Sequence, residues 1–229
     1  MSGLHLAHRP PRLLAAAGLG LAVSLCAVSP AVAAPASSVV AHSKGTLVAV
    51  YRSPHAKRPF LTLRDGPIAF LVKRRARGWE DVYLPMRPNG ATGWVRDRAL
   101  DLALDPYLVV VSLSTHTLTV WKGAHVVRRE RAGVGRSVTA TPTGTYYLVH
   151  LFKQPDPGGP YGPYAFALSA FSNVLYSFGG GPGQIGLHGT DEPSKLGTDV
   201  SHGCIRISNA GIAALARLLP LGTPVQIIR

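Results

Sequence analysis

The sequence predicts a mainly β chain: a small barrel of short strands, then a second mainly β unit with one or two helices. Three observations carry that expectation. Apolar runs are short and rich in Val, Leu, Tyr and Thr, as at 47–51, 68–72 and 107–113, which suits strands better than helices. Turn residues punctuate them, with Asn89-Gly90 a strong tight-turn pair between two strand-like runs. Only one stretch near the C-terminus has clear helical spacing: Ile212, Leu215, Ala216 and Leu219 recur at i, i+3, i+4 and i+7.

In chain order, residues 1–34 read as a secretory leader. Arg9 and Arg12 form a positive start, 13–28 is apolar, and Ala31-Val32-Ala33 is a small-residue cleavage pattern. The alternative is a retained anchor, for which the apolar run is short. Cys26 follows Leu25, a large residue where a lipoprotein site wants a small one, so it reads as apolar filler. Residues 35–44 (PASSVVAHSK) read as a polar linker.

Residues 45–101 form the first unit, with strands expected at 47–51, 68–72, 79–84 and 93–95. Such closely spaced short strands suit a small barrel. Trp79 and Trp94 read as core residues. Residues 105–229 form the second unit. Strands are expected at 107–113, 117–121, 125–128 and 145–149, a long Gly/Pro loop at 153–163, and a β-like stretch at 166–178. Another strand runs over 185–187, and the helix starts from a Ser208 or Asn209 cap and ends at Pro220. A closing strand is expected over 225–228.

The chain carries 24 Lys and Arg against 11 Asp and Glu, a net charge of +13 that falls to +11 once Arg9 and Arg12 leave with the leader. The bases concentrate in 45–101, where Lys73-Arg74-Arg75-Ala76-Arg77 is the densest run. It reads either as an anchor for an anionic polymer or as a solvated hairpin tip. An exported protein is not expected to meet nucleic acid.

The chemistry concentrates at Ser201-His202-Gly203-Cys204-Ile205-Arg206, together with His188-Gly189-Thr190 upstream. Without the leader, Cys204 is the only cysteine, so no intramolecular disulfide is available to it. A lone thiol near imidazoles suits a nucleophile, since a nearby base generates the attacking thiolate. The following helix N-terminus is expected to favour that thiolate, and the Gly203 and Cys204 N–H groups are candidate oxyanion donors. Spacing alone leaves open whether His188 or His202 faces the sulfur. It also leaves open a zinc site from His188, His202 and Cys204, and an inert buried cysteine.

These same residues resemble a known family. Ile185-Gly186-Leu187-His188-Gly189-Thr190 followed by Ser201-His202-Gly203-Cys204-Ile205-Arg206 is similar to the signature of the L,D-transpeptidases, the YkuD-type catalytic domain. Thr141-Pro142-Thr143-Gly144-Thr145-Tyr146 and Gly222-Thr223-Pro224-Val225 match its other recurrent segments. The pattern gWedVyLPmRPNGatGWV resembles the bacterial SH3-like modules that precede catalytic domains of cell-wall enzymes. The resemblance implies an SH3-like wall-binding module at 45–101 and a β-sandwich-like catalytic domain at 105–229.

It also implies roles. Cys204 would be the nucleophile, and His188 the general base, oriented by the Gly189 carbonyl. His202 would shape the pocket with the Gly203 and Cys204 N–H groups, and Ser201 would support the loop. Arg206 would meet a substrate carboxylate or form a structural salt bridge. Tyr161 would line the cleft, and Tyr164 would either line it or pack in the core. The implied reaction attacks the L-centre carbonyl of the third residue of a peptidoglycan stem, releases D-alanine, and passes the acyl group to a side-chain amine of a second stem. Water as acceptor would make a carboxypeptidase, and a degenerate domain would leave a non-catalytic wall-binding protein. No metal or cofactor is implied. Carbapenem-type β-lactams are expected to acylate Cys204, and the protein is expected to act outside the cytoplasm as a monomer.

Overall fold

The computed structural model describes residues 37–64 and 66–229; the leader reading, 1–34, lies outside the described residues. The N-terminal part consists of β1 (Ser38–Ser43), β2 (Val48–Val50), β3 (Leu61–Leu63), β4 (Ala69–Ala76), β5 (Trp79–Tyr83), β6 (Thr92–Arg96) and β7 (Leu100–Asp105). Five of these make one sheet in the order β6-β5-β4-β1-β7, while β2 and β3 pair as a separate hairpin. A Tyr51–Trp94 bridge ties that hairpin to β6. Ala41, Val48, Val50, Phe70, Val82, Val95 and neighbouring apolar residues close a first core.

Residues 38–43, expected as part of a linker, are instead an interior strand of this sheet. Val40 and Ala41 are buried, and β1 pairs with β4 on one side and β7 on the other. Ser38, His42 and Ser43 make the stretch look polar in sequence, although Ser43 is itself buried. The Ser43 hydroxyl accepts the Ile68 N–H at 2.9 Å and so serves the strand register. Trp79 is buried beneath Arg96 and edge-on to Tyr51, whereas Trp94 is half-buried under Arg74.

The C-terminal part holds β8 (Tyr107–Ser112), β9 (Thr117–Lys122), β10 (His125–Arg131), β11 (Val134–Gly135), β12 (Gly144–Lys153), β13 (Tyr164–Phe171), β14 (Gln184–His188), β15 (Asp199–Ser201), β16 (Ile205–Arg206), α1 (Asn209–Leu218) and β17 (Pro224–Ile228). Eight strands form one sheet ordered β10-β9-β8-β17-β12-β13-β14-β16. β17 runs parallel to β8, and β16 parallel to β14. The chain is thus mainly β, and α1 is the single α-helix among the described residues.

That helix forms where the apolar spacing places it. Ser208 Oγ accepts the Gly211 N–H at 2.9 Å as its N-cap. Ile212 and Leu215 are fully buried in a core shared with Leu148, Phe166, Leu168 and Leu187, each contributing about 1.5–3 kcal/mol by burial. The stretch 166–178, expected to be β-like throughout, stops being a strand at Phe171 and becomes a loop over 172–183. Ser172 turns the chain there, its hydroxyl accepting the N–H groups of Val174 and Leu175.

The two sheets belong to one compact unit among the described residues. The wholly buried Tyr147 donates its hydroxyl to the Tyr83 carbonyl at 3.1 Å, and Thr223 Oγ1 donates to Asp105 Oδ2 at 2.6 Å. Burial pushes the Tyr147 phenol well above its usual range, so it stays a neutral donor.

Candidate active site

β14 and β16 lie side by side and parallel, with His188 opposite Arg206 and Leu187 opposite Ile205. Side chains alternate along a strand, so Gly186 and His188 share the face that looks toward Cys204, just before β16. The Gly186 N–H donates to Cys204 Sγ at 3.3 Å. A Cβ at Gly186 would stand 3.4 Å from His188 Cδ2 and 3.6 Å from Cys204 Sγ. A point beside Gly186 is thus within van der Waals reach of both the thiol and the imidazole. Sequence spacing did not mark Gly186; its signal was a glycine two residues before the histidine, in an apolar strand where glycine otherwise weakens packing.

His188 is buried, and its Nδ1 lies 2.7 Å from the Gly189 carbonyl oxygen. Nδ1–H donates there, which leaves Nε2 as the ring's acceptor. Burial pushes the imidazole pKa down to about 4, with Arg206 adding to the shift while the Gly189 carbonyl and Asp191 oppose it. Burial also raises the Cys204 thiol, against the pull of the Gly186 N–H and Arg206. At neutral pH the pair is a neutral thiol beside a neutral imidazole, not a standing ion pair.

The cysteine loop is held from within. Ser201 Oγ donates to the Cys204 carbonyl at 2.6 Å and accepts the Gly203 N–H at 3.0 Å, while Thr141 Oγ1 donates to the Gly203 carbonyl at 2.8 Å. Gly203 sits at φ +124°, a region that favours glycine. This corrects one expectation: the Gly203 N–H is taken by Ser201 and is no oxyanion donor in this conformation. The Cys204 N–H has no partner among the described residues.

A second expectation also changes. The N-terminus of α1 faces a carboxylate, not the sulfur. Ser208 Oγ donates to Glu130 Oε2 at 2.9 Å, and a Cβ at Gly211 would stand 2.6 Å from the Glu130 carboxyl carbon. The positive end of the helix is thus complemented by Glu130.

His202 lies exposed at the rim. Its Nε2 is 2.6 Å from Arg136 Nη2, and its ring is 5.1 Å from that of Phe178. The zinc trio is accordingly not assembled; no group of three or more His, Cys, Asp or Glu that could share a metal occurs among the described residues. Arg206 forms an ion pair with Glu192 at 3.1 Å while also lining the cleft, and its Nε is buried without a partner. The salt-bridge alternative is therefore the contact observed. Tyr161 stands edge-on to His188 with ring centroids 4.8 Å apart, whereas Tyr164 packs against the core. Together His188, Cys204, Tyr161, Ser201, His202 and Arg206 line a cleft of about 320 Å³.

Residues 106–227 match the L,D-transpeptidase catalytic domain, YkuD. The chain belongs to that family. The L,D-transpeptidase domain here is 38% identical over 122 residues to the YkuD protein of Bacillus licheniformis, covering 53% of this chain and 66% of that one. It is 37% identical over 124 residues to the YkuD protein of Bacillus subtilis, covering 54% and 67%. Among solved structures, an L,D-transpeptidase from Mycobacterium smegmatis is 15% identical over 85% of this chain and 100% of that one, with a TM-score of 0.48.

One residue of this L,D-transpeptidase domain, expected only as a possible helix cap, holds the site instead. Asn209 Oδ1 accepts the N–H of buried Thr190 at 2.8 Å, and a Cβ at Gly162 or Gly189 would run into it. Asn209 thereby holds the backbone that presents the Gly189 carbonyl to His188. Asn209→Ala is expected to lower stability by about 1–3 kcal/mol, the cost of an unsatisfied buried donor. Asn209→Asp, which keeps an acceptor, is expected to lose less. Urea denaturation of both variants measures this, and equal midpoints for Asn209→Ala and the parent would refute it.

Proposed function

We propose that the protein is an exported peptidoglycan L,D-transpeptidase that works through a Cys204 thioester. The observation that carries the reading is the juxtaposition of Cys204 and His188 across the side-chain-free Gly186, with His188 Nδ1 anchored on the Gly189 carbonyl. Family membership supports it.

In this mechanism His188 Nε2 takes the Sγ proton as sulfur attacks the L-centre carbonyl of the third stem residue. The oxyanion collects at the Cys204 N–H. Collapse breaks the amide bond, and the leaving D-alanine amine receives the proton from His188. A side-chain amine of a second stem then attacks the thioester, giving the cross-link and returning the proton to sulfur. His202 and Tyr161 shape the cleft, and Arg206 holds its floor against Glu192 while presenting charge to a donor carboxylate.

Full-length protein incubated with disaccharide-tetrapeptides and followed by mass spectrometry tests the reading. Cross-linked dimers support it; tripeptide alone would assign a carboxypeptidase, and unchanged substrate a non-catalytic binding protein. Carbapenem is expected to add its whole mass to Cys204.

The same reading takes residues 1–34 as a cleaved leader, places the protein outside the cytoplasm, and makes the N-terminal sheet with its β2–β3 hairpin an SH3-like wall-binding module. Its basic run is less available than its charge suggests. Arg74 donates twice to Asp81 and Arg75 twice to Glu80, each directly across the strand pair. Lys73 and Arg77 form no ion pair among the described residues. Lys73→Gln with Arg77→Gln is expected to weaken pelleting with isolated walls at low salt, with the difference vanishing near ~0.5 M salt as exposed charges are screened. Pelleting identical to the parent at low salt would remove these residues from wall binding.

A further inference from the structure

The loop 172–183, between β13 and β14, lends Leu175, Phe178 and Gly183 to the wall of the cleft. Its own backbone holds it loosely: Ser172 and Gly183 share one hydrogen bond, and Phe178 and Gly181 form an isolated bridge. The Ser172 hydroxyl adds two short-range contacts, to the Val174 and Leu175 N–H groups, and further support comes from the other sheet, from the connection between β5 and β6.

Arg87 donates Nη1 to the Pro182 carbonyl at 2.8 Å, and Nη2 to the Ser172 and Leu175 carbonyls at 3.1 and 2.9 Å. Among the described residues these three carbonyls have no other hydrogen bond. The guanidinium lies 4.9 Å from the Phe171 ring centroid and 4.7 Å from that of Tyr176. Two residues on, Asn89 pairs with the Phe171 backbone in both directions, donating to its carbonyl at 2.7 Å and accepting its N–H at 2.8 Å. It also donates to Asn173 Oδ1 at 3.1 Å. A planar fork reaching three carbonyls cannot be reproduced by a single ammonium.

We infer that Arg87 and Asn89 are positioning residues of the active site: through them the N-terminal sheet splints the 172–183 loop into the wall that holds the peptidyl donor. The loop supplies no proton and no nucleophile, so the splint acts on how the donor is seated, not on Cys204 itself. The inference rests on the acyl-transfer reading for its effect on turnover, but not for its effect on the loop. It also gives the N-terminal sheet a task besides any contact with the wall.

The test uses the full chain with Arg87→Lys, which keeps the charge and loses the fork, and Asn89→Ala, each checked for an unchanged near-UV spectrum. Amide exchange of 172–183 is expected to accelerate at least about tenfold as local opening becomes easier. KM for the tetrapeptide donor is expected to rise by roughly tenfold with a smaller change in kcat, since donor seating is lost more than chemistry. Alkylation of Cys204 by iodoacetamide, too small to need the wall, should stay within about twofold of the parent. Parental exchange in 172–183 in both folded variants overturns the splint, whatever the activity. A parental KM with faster exchange overturns its role in seating the donor. Faster exchange in a protein whose parent is inert to tetrapeptide keeps the splint and rejects the acyl-transfer reading.

Discussion

Cys204→Ser is expected to reduce turnover of tetrapeptide by roughly 10⁴-fold or more, the scale on which nucleophile replacements act. The Ser hydroxyl is a far poorer nucleophile, because an alcohol gives up its proton much less readily than a thiol. The fold should survive. Sγ makes one hydrogen bond, from the Gly186 N–H, and a Ser Oγ can accept there as well. The turn itself is held by Ser201 and Thr141, neither of which touches the sulfur. The melting temperature is therefore expected to stay within a few degrees. Iodoacetamide labelling of the chain lacking 1–34 should disappear, since no other cysteine remains. In the parent, labelling should keep rising with pH beyond the ordinary thiol range, because burial holds the thiol protonated. A variant that unfolds would reassign Cys204 to a structural role; one that turns over at the parental rate would remove it from the chemistry.

How much of this was legible in the sequence depends on whether the deciding contact is local. The helix 209–218 was, because an apolar stripe and a Ser cap are both short-range signals. So were most strands of the eight-stranded sheet, and the two stretches that become β14 and the Cys204 turn. The Ser38–Ser43 strand was not, since its place between β4 and β7 rests on partners up to 67 residues away. The same limit hid three features of the site. Glu130 reaches the N-terminus of α1 from β10, 78 residues earlier in the chain, and so displaces the thiolate from the role spacing assigned it there. Arg206 finds Glu192 across a loop that no periodicity describes. His202 is nearest to Cys204 in sequence, yet the bend at Gly203, at φ +124°, breaks the two-residue repeat and leaves it at the rim against Arg136 and Phe178. Charge counting misled in the basic run for a related reason. Arg74 and Arg75 look free in one dimension but lie opposite Asp81 and Glu80 in the sheet register.

His188→Gln carries the second large effect and separates a buried base from a surface histidine. Acylation of Cys204 is expected to fall by about 10²- to 10⁴-fold, the usual contribution of a positioned base. Its pH behaviour is more diagnostic. Because burial lowers the imidazole from 6.5 to about 4, the base stays unprotonated through mild acid. The acid limb of kcat/KM that belongs to it should fall near pH 4, not near 6.5. Stability follows the same linkage. Between pH 6.5 and about 4 the unfolded chain takes up a proton at this position that the folded chain refuses. Stability from this group is thus complete above pH 6.5 and drains away as pH falls toward 4, by on the order of 3 kcal/mol. Glutamine does not titrate there, so the stability difference between parent and His188→Gln should shift by that amount in the variant's favour between pH 7 and pH 4. Urea denaturation at several pH values across this window reads it directly. A pH-independent difference, or an acid limb near 6.5, would mean that His188 is open to solvent and not the buried, Gly189-anchored base that this mechanism requires.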